Sequence, residues 1–167
     1  MSYVRKHLID GESIIYETRL HWIVLVGPIL LALLFGSTAV GMFVLASQKS
    51  GDNAMAHQSM MIAGAAFLVI ALFFIVRGVM ERNATEMTVT NKRVFVKTGL
   101  AARRTVELLL SRVESIGVEE SAAGRMLGYG KVTIHGTGGT PEVFHKIAHP
   151  LEFRTQVQQQ IEKTVTK

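Results

Sequence analysis

At 167 residues the chain has room for one small domain and a membrane anchor. Only 19% of its residues are charged, against about 25% in soluble domains, which places part of the chain in lipid. It has no cysteine, which excludes disulfides, thiol catalysis and cysteine-ligated metals. Its formal charge of +5 fits nucleic acid or an anionic membrane surface as partner, and the apolar runs decide for the membrane.

The first segment, residues 1–21, is polar with a few apolar positions and is expected in the cytoplasm. Leu8 to Glu12 reads as a turn, and Ser13 to Thr18 is β-prone. Two roles are open to it: a strand added to a later domain, or an ordered pre-membrane segment. Trp22, beside His21 and close to Arg19, stands where an interfacial anchor belongs.

From Trp22 to Ala46 run 25 positions without a charge. From Met60 to Val76 run another 17; Arg77 interrupts, and Gly78-Val79-Met80 continues the apolar character. A helix crossing the hydrocarbon needs about 20 apolar residues, so spans are expected over 22–46 and 60–79, with a short external loop over 47–59. A strand is excluded, since it cannot satisfy its backbone in lipid alone. Val44-Leu45-Ala46 resembles a signal-peptide cleavage site, but the run is far longer than a signal core of about 7–15 residues.

Orientation follows from Lys and Arg near the spans. Arg5, Lys6 and Arg19 precede the first; Arg77, Arg82, Lys92 and Arg93 accompany or follow the second; the loop has only Lys49, offset by Asp52. Both termini are therefore expected in the cytoplasm, with the spans in the inner or plasma membrane. Small residues at spacing four, Ala32 and Gly36 or Ser37 and Gly41, with Ala63 to Ala66, predict close packing of the two spans as a hairpin, or of copies. Gly27-Pro28 predicts a kink near one end. No acidic or basic residue lies in the interior of either span, Arg77 standing near the end of the second, which argues against transport.

Residues 81–167 change pattern to short strands: Thr85 to Val89, Arg93 to Lys97, Arg104 to Leu110, Val113 to Glu119, Lys131 to His135 and Glu142 to Ile147. Ala122 to Gly130 reads as a glycine-marked loop, and Gly136-Thr137-Gly138-Gly139-Thr140 as a hairpin turn. From Pro150, apolar residues Phe153, Val157, Ile161 and Val165 recur at spacing four, which predicts one helix with its Gln, Glu, Arg and Lys facing water. The fold class is α+β: a transmembrane hairpin, then an antiparallel meander closed by a helix.

Several residue runs, in order, carry a resemblance. They are Thr90-Asn91-Lys92-Arg93-Val94, Lys97-Thr98-Gly99, Arg103 to Leu108, Ser111 to Ile116, Gly124-Arg125-Met126-Leu127-Gly128-Tyr129-Gly130 and the turn Gly136 to Thr140. Between about Asn83 and Ile161 the chain resembles the membrane-anchored bacterial pleckstrin-homology-like (PH) domain. One departure is His149 ahead of Pro150, where that family often has Asp, a helix-capping residue. The resemblance implies a bent sheet or partly open barrel of about seven strands capped by the helix, and a binding module without catalytic residues.

Lys92, Arg93, Lys97, Arg103 and Arg104 follow closely on the second span and are candidate contacts for lipid headgroups or a partner. Trp22, Arg19 and Arg77 are candidate interface anchors. His135 and His145 invite a metal reading if their strands set them side by side, but a third ligand is not evident. Glu107, Glu114, Glu119 and Glu120 read as surface ion pairs. The turn at Gly136 lacks the Gly-Lys-Ser/Thr ending of a phosphate loop. No catalytic residue, metal or cofactor is expected, and no nucleic acid or small-molecule substrate. The expected function is a membrane-tethered module for a protein partner or its own copies, the alternative being an anionic-lipid binder.

Overall fold

The structure, a computed structural model, describes residues 8–48, 54–99, 104–137 and 139–165. It divides into two compact units, Trp22–Met80 and a second made of Met1–His21 with Glu81–Lys167.

In the first unit a single 3-10 turn, Trp22–Leu25, leads into α1 (Val26–Gln48), and α2 begins at Ala54 and runs to Ala84. Pro28 falls in the first turn of α1, where a missing N–H removes no helical hydrogen bond, so the kink expected at Gly27-Pro28 is not required. At about 1.5 Å per residue, each helix exceeds the roughly 30 Å of a hydrocarbon core. The loop expected over 47–59 is shorter than that, because Ala54 to Ser59 are already helical.

The buried residues of α1 are Ala32, Ala39 and Ala46, and those of α2 are Gly64, Ala71 and Gly78. Both sets repeat every seven residues, or two turns, so each forms one small-residue stripe. Large side chains of the other helix fill the space. A Cβ on Gly64 would lie 3.1 Å from the Phe43 ring, and one on Gly78 would lie 2.9 Å from the Pro28 ring. Phe35 stacks on both Phe67 and Phe74, at 6.0 and 5.7 Å. Hairpin packing by small residues therefore holds at Ala32 and Gly64, both among the residues singled out in the sequence, whereas Gly36 and Gly41 have open space around them.

The second unit has two antiparallel sheets. β1 (Ile14–Arg19), β2 (Glu86–Thr90), β3 (Arg93–Thr98) and β4 (Arg104–Leu109) form one, in that order; β5 (Val113–Glu119), β6 (Tyr129–Gly136) and β7 (Glu142–Ala148) form the other. Alternation puts Met87, Val89, Val94, Val96, Val132 and Ile134 into one core. The terminal helix α4 (Pro150–Val165) closes it with Phe153 and Val157, both fully buried, each worth about 2 kcal/mol of apolar transfer. Gln160, expected to face water, is instead 5% exposed. His149 does not cap α4 through its side chain in the way Asp would. Its backbone adopts a left-handed φ of 48°, and its carbonyl accepts the Phe153 N–H at 3.2 Å.

The choice left open for the first segment is settled by pairing. β1 pairs with β2, with Tyr16 opposite Val89 and Arg19 opposite Glu86. It also reaches the other sheet: Leu20 bridges Ile147, the Thr18 hydroxyl donates to the Ala148 carbonyl at 2.7 Å, and the His21 N–H donates to the Lys146 carbonyl at 2.7 Å. β7 meets it through a bulge: two steps along β6, Gly130 to Val132, match three along β7, Phe144 to Ile147. Residues 8–21 thus are not separate from the sheets that follow the apolar helices, and those helices interrupt one domain.

The segment expected as a loop contains a helix, α3 (Ala122–Leu127). Ser121 accepts the Gly124 N–H with its side chain, and Gly128 ends the helix at φ 77° with its N–H on the Gly124 carbonyl. This is the Ser start and left-handed Gly stop of a short helix.

Candidate functional site

Strand register divides the basic residues into two groups. Arg19, Glu86, Lys97 and Thr105 stand in one row across β1 to β4, with Arg104 beside it opposite Thr98. Lys92 and Arg93 lie at the other end of the hairpin, by the pair Val89–Val94. Four strand positions, about 13 Å, separate Glu86 from Thr90. Arg103 lies outside the described residues. Arg77 is exposed on α2, and Trp22 is 48% exposed.

At the far end, the Thr90-Asn91-Lys92-Arg93 run grips the turn before β1. Glu12 closes that turn with its N–H on the Ile9 carbonyl at 2.8 Å. Its carboxylate accepts Arg93 Nε and Nη2, both at 2.9 Å, the Thr90 hydroxyl at 2.7 Å and the Ile9 N–H at 2.9 Å. Asn91 donates to the Gly11 carbonyl at 3.0 Å, and Lys92 Nζ donates to the Asp10 carbonyl at 2.8 Å. Burial alone would raise the Glu12 pKa. The Arg93 guanidinium, the Ile9 N–H and the Thr90 hydroxyl outweigh it and hold the carboxyl down at about 2. Glu107 takes the other side of the Arg93 guanidinium at 2.5 Å, and the Arg93 side chain is 12% exposed. Arg93 thus has a structural task, and Lys92 shares it.

Between the β4 edge and the β6–β7 turn lies a groove of about 520 Å³. Val106, Leu108, Leu109 and Ile134 give it apolar walls; Lys92, Arg93, Glu107, Arg112 and Glu142 supply charge. Arg104 pairs with Glu142 at 2.6 Å. The turn is tied in place by the Thr137 N–H on the Arg112 carbonyl at 2.9 Å, while Gly138 lies outside the described residues. Among the described residues β4 pairs only with β3, so its outer edge is open. Leu109 is 49% exposed there. The sequence reading does not single out Leu109, Arg112 or Glu142, because the groove forms only when separate strands meet.

The chain matches, over residues 24–161, the family described as bacterial PH domain. It belongs to that family. A search of curated proteins finds no match. PH-like domains are generally non-catalytic binding modules, and in this bacterial PH domain the match begins after β1, in the turn that opens the first apolar segment.

Strand register does not set the two histidines of this PH domain side by side. His135 stands opposite Ser115 of β5, whereas His145 lies in the bulge beside Lys131, four positions away along β6. Among the described residues no cluster of three His, Asp or Glu could hold a metal. Of the carboxylates read as surface pairs, Glu107 meets Arg93 and Glu119 meets Lys131 at 3.1 Å.

Proposed function

We propose that this chain is a membrane-tethered, non-catalytic binding module at the inner face of the cell membrane, whose groove beside β4 receives an extended segment of a protein partner or of another copy. The observation that carries the reading is the open β4 edge facing an apolar groove with charge at its rim. Extended peptides dock on such edges by backbone pairing, and side pockets give the specificity. The tether is α1 and α2, which are long and apolar enough to cross a membrane. β1 and β2 flank these helices in sequence and pair with each other, so both must lie on one side of any membrane the helices cross. That pairing supports an even number of crossings, and the Lys and Arg bias supports the cytoplasm as that side.

A photocrosslinker at Leu109 in the full chain, in native membranes, is expected to give a discrete adduct that Leu109→Asp combined with Arg112→Glu abolishes. The same probe at exposed Gln158 is expected to give none. Equal labelling from both sites overturns the groove reading. The second reading is an anionic-lipid binder using Arg19, Lys97 and Arg104, which share one end of the sheet. Salt-dependent lipid crosslinks from Lys97 with no protein adduct from Leu109 would favour it.

A further inference from the structure

We propose that the tip of α3, residues Arg125, Met126 and Leu127, is a membrane-docking wedge that seats the PH domain on the headgroup layer next to its tether. This rests on the membrane-tethered reading above.

Met126 is 87% exposed and Leu127 is 44% exposed. Met126 is the most exposed large apolar residue described in this domain, and with Leu127 it puts two adjacent apolar side chains outward at one short helix's end. Their backbone is firmly set. Ser121 caps the start of α3, Gly128 ends it in the left-handed region, and a Cβ on Gly124 would meet the Tyr129 carbonyl at 2.4 Å. The helix therefore cannot turn its apolar tip inward without unseating β6.

The place of this tip in the domain points to its occupant. The Leu127 backbone carbonyl takes a hydrogen bond from the His21 imidazole, which also stacks on Tyr129 at 5.3 Å. The next residue after His21 is Trp22, where the apolar segment begins. Arg82, two residues past Met80, is close enough to act electrostatically on His21. Both covalent exits from the PH domain to its apolar helices thus meet at the corner that carries the α3 tip. Arg125 is exposed in the tip itself, and exposed Arg82 and Lys146 both reach His21, Arg82 electrostatically and Lys146 through its backbone carbonyl. An apolar tip that carries an exposed Arg is complementary to an anionic bilayer surface, where apolar side chains enter the headgroup boundary and Lys or Arg meet phosphates.

The test uses the full chain, which has no native cysteine. Met126→Cys, Gln158→Cys and Leu33→Cys are each labelled with a polarity-sensitive fluorophore and reconstituted in phosphatidylcholine vesicles with and without phosphatidylglycerol. The wedge predicts that the Met126 probe is quenched several-fold more than the Gln158 probe by lipids carrying a quencher near the headgroup. It also predicts less quenching by aqueous iodide, and a blue shift that grows with phosphatidylglycerol and is lost in Arg125→Glu. Leu33, on the exposed surface of α1 and read with lipids that carry the quencher deep in the acyl chain, separates the two readings. If its probe is lipid-quenched while the Met126 probe behaves like Gln158, the tether stands and the wedge falls. If neither is lipid-quenched, the membrane reading falls with it. Protection of Met126 from iodide without lipid quenching overturns the wedge in favour of a protein contact.

Discussion

Glu12 and Arg93, 81 positions apart, are joined by two hydrogen bonds of 2.9 Å, and this pair locks the turn before the first apolar helix to the hairpin after the second. Removing one partner of a buried ion pair costs about 3–5 kcal/mol, because the other charge stays behind. Glu12→Ala is expected near the lower end, about 3 kcal/mol, since Arg93 keeps Glu107. Glu107→Ala, which removes a half-exposed carboxylate, is expected to cost less than about 1 kcal/mol. Denaturant unfolding of the full chain in detergent, with hydrogen exchange read at β1, checks both values. Equal losses would show that the pair is not the lock.

The same carboxylate predicts an acid limb. Its pKa falls from 4.5 to about 2 on folding. The folded state binds this proton less tightly than the unfolded chain, so its contribution is complete above about pH 4.5. It drains away as the pH drops toward 2. At 1.36 kcal/mol per pH unit the full contribution is about 3 kcal/mol. Glu12→Gln is expected to be less stable at neutral pH but to lose less between pH 5 and 2. An unchanged slope in that variant would assign the acid limb to other groups.

Tyr16 predicts the opposite limb. Burial and the hydrogen bond its hydroxyl donates to Glu152 at 3.1 Å raise its pKa from 10 to about 12. A raised folded pKa gives stability that is present below pH 10 and lost as the pH climbs through 12. Tyrosinate absorbance of the folded chain is expected to show a step near pH 12 that Tyr16→Phe removes. Because this hydroxyl ties β1 to α4, the variant should also speed hydrogen exchange in β1. A step near pH 10 that Tyr16→Phe abolishes would refute the contact.

Much of this was legible from local pattern. Strand alternation finds the inward Val94 and Val96 and the stripe of Phe153 and Val157, because period and burial are local properties. Its failures share one cause. Thr90 to Arg93 is conspicuous in sequence and basic, so a charged surface is the natural reading. Its real partner, Glu12, lies across the whole helical insertion, and no local signal points to it. The groove is hidden for the same reason: Leu109, Ile134 and Glu142 come from three strands. α3 lies closest to being legible, since Ser121 and Gly128 bracket it as start and stop signals, but six residues give too little periodicity to outweigh the glycines.

The spacing-seven stripes separate two kinds of glycine in the apolar helices. At Gly78 a side chain must displace the Pro28 ring, 2.9 Å from its Cβ position, and a proline ring in the first turn of a helix has nowhere to rotate. At Gly36 there is open space within 4 Å. Inserting bulk into a packed contact costs about 1–3 kcal/mol, whereas a side chain added toward open space costs little and replaces a weak helix former with a better one. Gly78→Leu is therefore expected to lower the midpoint of thermal unfolding in detergent, followed by helical circular dichroism, and Gly36→Leu to leave it unchanged or raise it. The reverse order would place the hairpin contact on the Gly36 face. An equal loss from both would mean that α1 packs on two sides, with Gly36 facing a second copy; dilution in detergent would then separate the two, because only the contact between copies weakens with concentration.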